Sequence, residues 1–149
     1  MRKFVLAAAV AVAAGGLMSG VANAQSGPNL IETRQVGFAL LSGDFAGIRA
    51  VAAAKGDVKT LENPAKAMGR FAAIMPSLFP QGTAAGNNTR ALPEVWSDSA
   101  GFQKAAASFG EASAMLVKAA AAGDAAGVDA AIKAVSDSCG ACHRAYRTR

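Results

Sequence analysis

Residues 124–147 read DAAGVDAAIKAVSDSCGACHRAYR, and two patterns run through them together. Val128, Ile132, Val135, Cys139, Cys142 and Tyr146 recur at spacings of three and four, which places them on one face of a helix. Within that face lies Cys139-Gly140-Ala141-Cys142-His143. This is the spacing at which two thiols add across the vinyl groups of a porphyrin and a histidine takes the iron. Cys139 and Cys142 are the only cysteines of the chain and His143 its only histidine. Three such groups cannot close a four-ligand zinc site. A thioredoxin-like pair follows a strand and opens a helix, whereas this pair sits late in an alanine-rich helical run. A plain disulfide is the alternative in an oxidising compartment, but it leaves His143 without a role. The reading that uses all three residues is one covalent haem c per chain, attached through Cys139 and Cys142, with His143 as axial iron ligand.

Working back from this helix, three more follow the same periodicity. The spacing predicts a first helix from Pro28 to Ala54, with Pro28 in its first turn. Ile31, Phe38, Phe45 and Ala52 repeat every seven residues, Leu41 and Ile48 fill the other seam position, and Gly56 ends the element. Asp57 suits the cap of a second helix with the seam Val58, Leu61, Ala65, Met68, Ala72 and Met75. Pro64 inside it implies a kink or a late start. Pro76 to Pro93 is a connection rich in turn residues. A third helix runs from about Glu94 or Ser97 to Ala122, with Trp96, Phe102, Phe109 and Leu116 on one stripe, read as core packing. Asp124 caps the fourth. The fold class expected is all-α, an antiparallel four-helix bundle with covalently attached haem. Cys139, Cys142 and His143 lie on its inward side, where the cofactor supplies bulk that the many alanines do not.

Residues 1–24 read as a signal peptide that is removed. Arg2 and Lys3 precede an apolar stretch from Phe4 to Val21, and Ala22-Asn23-Ala24 is an A-x-A cleavage site. Residues 25–149 then form one domain. Export from a Gram-negative cell gives a periplasmic location, where haem attachment takes place. The chain carries 15 basic and 10 acidic side chains, but two of the basic ones belong to the leader. No basic run or aromatic-interleaved stretch points to nucleic acid. No apolar segment after the leader is expected to span a membrane.

Arg34 interrupts the first seam between Ile31 and Phe38. A buried guanidinium requires an anionic partner or a route to water, and snorkelling at a helix end is the plain alternative. The other reading is a bidentate contact to a haem propionate, with Gln35 assisting and Phe38 one turn deeper over the porphyrin.

These pieces together resemble the cytochromes c′, the class II c-type cytochromes. The resemblance is carried by Cys139-x-x-Cys142-His143-x-x-Tyr146-Arg147, by Arg34-Gln35, by Leu78-Phe79-Pro80-x-Gly82-Thr83, and by Thr89-x-Ala91-Leu92-Pro93-x-x-Trp96. It implies His143 as the sole protein axial ligand of a five-coordinate, high-spin iron. It further implies Phe38 as the apolar residue that blocks the distal face, and Arg147 near the proximal histidine. Arg34, Gln35 and Thr89 match haem-contacting positions, and pairing as a homodimer through the first two helices is expected. Low-spin relatives place a methionine on the first helix. Here the methionines after the leader are Met68, Met75 and Met115, so the distal site is expected to be open and apolar.

The function expected is binding of small gases, nitric oxide first and carbon monoxide less readily, in storage or detoxification. An electron-transfer cytochrome with a redox partner protein is the alternative. No enzymatic role is expected and no catalytic residue is assigned, because no acid or base is expected near Phe38.

Overall fold

The computed structural model describes residues 29–149. The expected signal peptide, residues 1–24, and Pro28 lie outside the described residues. The first helix, α1, spans Leu30–Ala53 and starts at Asn29, whose side chain accepts from the Ile31 and Glu32 N–H groups at 3.2 and 3.3 Å. Its end differs from expectation. Lys55, not Gly56, takes the left-handed conformation (φ 53°), while Gly56 N–H donates to Val51 O and Lys55 N–H to Ala52 O, both at 2.9 Å. The glycine serves instead as a point of close approach. A Cβ at residue 56 would stand 3.2 Å from Val51 Cγ1.

Asp57 caps as expected, accepting from Lys59 N–H at 3.0 Å, but the element it opens is a 3₁₀ turn, Val58–Leu61. The α-helix proper, α2, is Glu62–Ile74. Of the two explanations for Pro64, the late start is the one observed. The proline falls in the first turn, where its missing N–H has no partner to lose. All six expected seam residues are buried, from Val58 at 8% exposed to Ala65 at 0%.

After a second 3₁₀ turn, Met75–Leu78, the chain crosses in an irregular loop in which Gly82, Gly86, Asn87 and Asn88 adopt positive φ. The expected third helix is divided. A single turn, α3 (Glu94–Ser97), precedes α4 (Ser99–Ala122). Asp98 leaves the helical conformation because its Oδ1 accepts from Gly101 N–H at 3.1 Å, the side-chain cap of α4. Gly123 (φ 69°) ends α4, and Asp124 caps α5, Ala125–Tyr146.

The result is an antiparallel four-helix bundle of α1, α2, α4 and α5, with no strand among the described residues. The helix α4 is its hub, packed along α2 and α5, while α1 lies against the others more sparingly. Small residues allow the close approach of α2 and α4. Positions for a Cβ at Gly110 and at Gly69 lie 3.5 Å from Ala72 Cβ and 3.8 Å from Ser113 Cβ. On α1 only Ile31, Arg34 and Ile48 are buried, and Phe38, Leu41 and Phe45 are half-buried.

One expectation about α1 is corrected. By length and composition alone this 24-residue helix is apolar enough to cross a membrane. Its buried Arg34 and its packing on the core are nevertheless those of a bundle helix.

Candidate functional site

The half-buried face of α1 looks into a cavity of about 330 Å³ enclosed by α1, α2, α4, α5 and the crossover loop. This lies at the lower end of the volume of small-molecule and cofactor sites, about 300–1,000 Å³. All eight residues expected at the site line it: Arg34, Gln35, Phe38, Thr89, Cys139, Cys142, His143 and Arg147. They come from positions more than a hundred residues apart, brought together by the fold.

On the α5 wall, Cys139 and Cys142 are half-buried free thiols. Burial pushes both thiols above their ordinary pKa, and the neighbouring Cys139 pushes Cys142 further. Before a cofactor is attached they are therefore held as thiols, the unreactive state for disulfide exchange. His143 follows on the same wall with its ring at the exposed edge. Burial, then the positive charges of Arg147 and Arg90, hold its pKa below the usual range, which favours the neutral imidazole that binds metals. Arg147 Nη1 stands 3.4 Å from both ring nitrogens. A point in the ring plane equidistant from the two would collide with ring carbon, so the guanidinium lies over the ring face.

On the α1 wall the charge of Arg34 is held by the crossover loop. Arg34 is 2% exposed, and its partners are neutral oxygens. Its Nη1 donates to Leu78 O (3.2 Å) and Thr83 Oγ1 (2.9 Å), and its Nη2 to Thr83 O and Thr89 Oγ1 (both 2.8 Å). The guanidinium also lies 4.3 Å over the Phe79 ring. All four terminal N–H positions are thereby used. The cost of burying the charge is met by the crossover loop, and among the described residues no carboxylate pairs with it. Gln35 Nε2 donates to Asn87 O at 2.8 Å, so the Arg34-Gln35 pair binds the loop across the cavity mouth. Phe38 projects between Phe71, edge-on at 5.3 Å, and Phe79 at 6.4 Å.

Several lining residues were not anticipated as part of a site. Phe79 of the crossover loop and the core residues Phe102 and Phe109 all form cavity wall. Met68 of α2 and Met75 of the following 3₁₀ turn, 1% and 4% exposed, also line the cavity, although neither lies on α1. Their seam positions announced burial but not what they would face. Trp96 is half-buried and anchors the loop, its Nε1 donating to Phe79 O at 2.9 Å and Pro80 O at 3.1 Å.

The donor set fits a covalently attached porphyrin. Two free thiols and the sole imidazole share one helix face, opposite a wall of aromatic rings. Among the described residues lining the cavity none is a carboxylate.

A family model described as Cytochrome C′ matches residues 29–147. The cytochrome c′ of Rubrivivax gelatinosus is 33% identical over 121 residues, covering 80% of this chain and 94% of its own. Its crystal structure superposes with a TM-score of 0.72 over the same shares. The crystal structure of cytochrome c′ from Thermochromatium tepidum, 31% identical, gives a TM-score of 0.75 and covers 80% of this chain and 95% of that one. A nitric oxide complex of a variant cytochrome c prime from Alcaligenes xylosoxidans, 30% identical, gives 0.72 with shares of 80% and 94%.

Proposed function

The chain belongs to the cytochrome c′ family and its cofactor is covalently attached haem c; from that premise we propose that it is a periplasmic gas-binding protein, for nitric oxide first, and not an enzyme. The observation that carries the reading is the meeting of one imidazole, two thiols and Phe38 in a single apolar cavity. Cys139 and Cys142 would hold the cofactor and His143 would ligate its iron. When bound, the haem would supply an iron with a position for a small ligand.

Phe38 crowds that position. It excludes water and offers neither a hydrogen-bond donor nor room, which weakens carbon monoxide and oxygen relative to nitric oxide. The polar side chains of α1 that line the cavity are engaged elsewhere, Arg34 and Gln35 with the loop and Ser42 with the Phe38 carbonyl. Arg34 and Gln35 hold the cavity mouth, and no carboxylate lines the cavity to act as a general acid. Nitric oxide binding by a relative supports the choice of ligand. Residues 1–24 provide export. Val36, Leu40 and Ile74, exposed at 53, 70 and 55%, give α1 and α2 the apolar surface for a homodimer.

The electron-transfer reading has one observation in its favour, the thioethers of Met68 and Met75 at the cavity, since methionine is a known sixth ligand in cytochromes. The ferrous absorption spectrum with and without nitric oxide separates the two. A high-spin five-coordinate spectrum that changes on nitric oxide addition supports the gas site, and a six-coordinate low-spin resting spectrum overturns it.

A further inference from the structure

We propose that Phe71, seated in a notch left by Gly37, is a positioning residue that sets which diatomic ligands the site accepts by fixing Phe38. The inference rests on the reading above, in which Phe38 stands at the ligand position. Phe71 itself does not line the cavity. Its ring meets Phe38 edge-on, with centroids 5.3 Å apart and planes at 80°. It reaches that place because residue 37 has no side chain. A Cβ there would lie 2.6 Å from Phe71 Cε2 and 3.0 Å from Cζ, inside the separation of about 3.5 Å at which carbon atoms normally meet.

Phe38 also meets Phe79, with centroids 6.4 Å apart, and Phe79 is held in turn by Phe102 at 4.9 Å and by the Arg34 guanidinium over its face. Two rings, one from α2 and one from the crossover loop, thus clamp Phe38. A phenylalanine on a half-buried helix face has other staggered rotamers to visit, and the clamp removes them. The consequence is chemical. A fixed crowding group discriminates between ligands by shape, whereas a mobile one yields to each of them at little cost. Selectivity then resides in the pair Gly37 and Phe71 as much as in Phe38.

The test is a double-mutant cycle on the haem-loaded protein, with carbon monoxide as probe and thermal melts to verify folding. Phe71→Leu and Gly37→Ala are each made alone and with Phe38→Ala. Phe38 ring-flip rates are read from aromatic NMR line shapes in the diamagnetic carbon monoxide complex. Phe71→Leu is expected to raise carbon monoxide affinity by about 3- to 10-fold and to speed the ring flip. Gly37→Ala, which alters no cavity-lining side chain, is expected to change affinity by about threefold or more. Both effects should shrink below about twofold when residue 38 is alanine. Unchanged affinity in both single variants, or effects that persist in the Phe38→Ala background, overturn the proposal while leaving the gas site intact. If Phe38→Ala alone leaves carbon monoxide affinity unchanged, the gas-site reading falls and this inference with it.

Discussion

The Tyr146 hydroxyl donates to Asp98 Oδ2 at 2.7 Å, while Oδ1 of the same carboxylate accepts from Gly101 N–H at 3.1 Å. One side chain thus joins the cap of α4 to the last turn of α5, three residues beyond His143. The hydrogen bond is the main reason the phenol is pushed up to about 12, since it favours the protonated form.

The pair predicts an alkaline limb of stability. Tyrosine ordinarily titrates near pH 10, and in the folded protein its pKa is raised to about 12. The contribution is therefore whole below about pH 10 and is lost as pH rises through about 12. Melting temperature against pH should fall more steeply over that window for the native chain than for Tyr146→Phe, which starts lower. Parallel curves would mean that the hydroxyl contributes nothing.

Gly101→Ala tests the same junction by sterics. Alanine normally improves a helix interior by about 0.5–1 kcal/mol over glycine. Here an added Cβ would intrude on the Asp98 carboxylate and stand 2.5 Å from the Tyr146 hydroxyl. The expected sign reverses, to a loss of about 1–3 kcal/mol in urea unfolding.

Arg34→Met removes four hydrogen bonds and leaves the Leu78 and Thr83 carbonyls without that donor. Bonds to a charged donor are individually worth about 1.5–3 kcal/mol, and water replaces part of this at the loop surface. A net loss of about 2–4 kcal/mol is expected, with faster proteolysis between residues 79 and 93. Arg34→Lys keeps the charge but not the fork, and should recover less than half. A loop as resistant in Arg34→Met as in the native chain would remove the clamp from the account.

Cys139→Ala and Cys142→Ala should each leave one covalent link to the cofactor, visible as a red-shifted pyridine haemochrome band. The double variant should release haem into acidified organic solvent. Retention of haem by the double variant would assign attachment elsewhere.

How much of this was legible beforehand depends on the range of the interaction involved. The six-residue seam running from the first 3₁₀ turn through α2 to Met75 reads directly because helical periodicity and burial are local. The attachment motif reads because it is five consecutive residues. The break at Asp98 was hidden because an aspartate inside an amphipathic run is normally a solvated residue, and its Tyr146 partner lies 48 positions away. Arg34 announced itself as anomalous, but its partners 44 to 55 residues distant sit in an irregular loop without periodicity. Nothing local in the sequence marked Lys55 for the left-handed position, and Gly56 instead meets Val51 closely.

The distribution of buried residues along α1 has a consequence for motion. Ile31 and Arg34 fasten one end and Ile48 the other, with Phe38, Leu41 and Phe45 facing the cavity between them. The cavity therefore has no existence as a local structure: it is a relation between α1 and the other three helices. Amide exchange should show α1 opening as a unit, at lower free energy than α4. Each opening abolishes the pocket entirely, so the lifetime of the site is the lifetime of one helix in its berth.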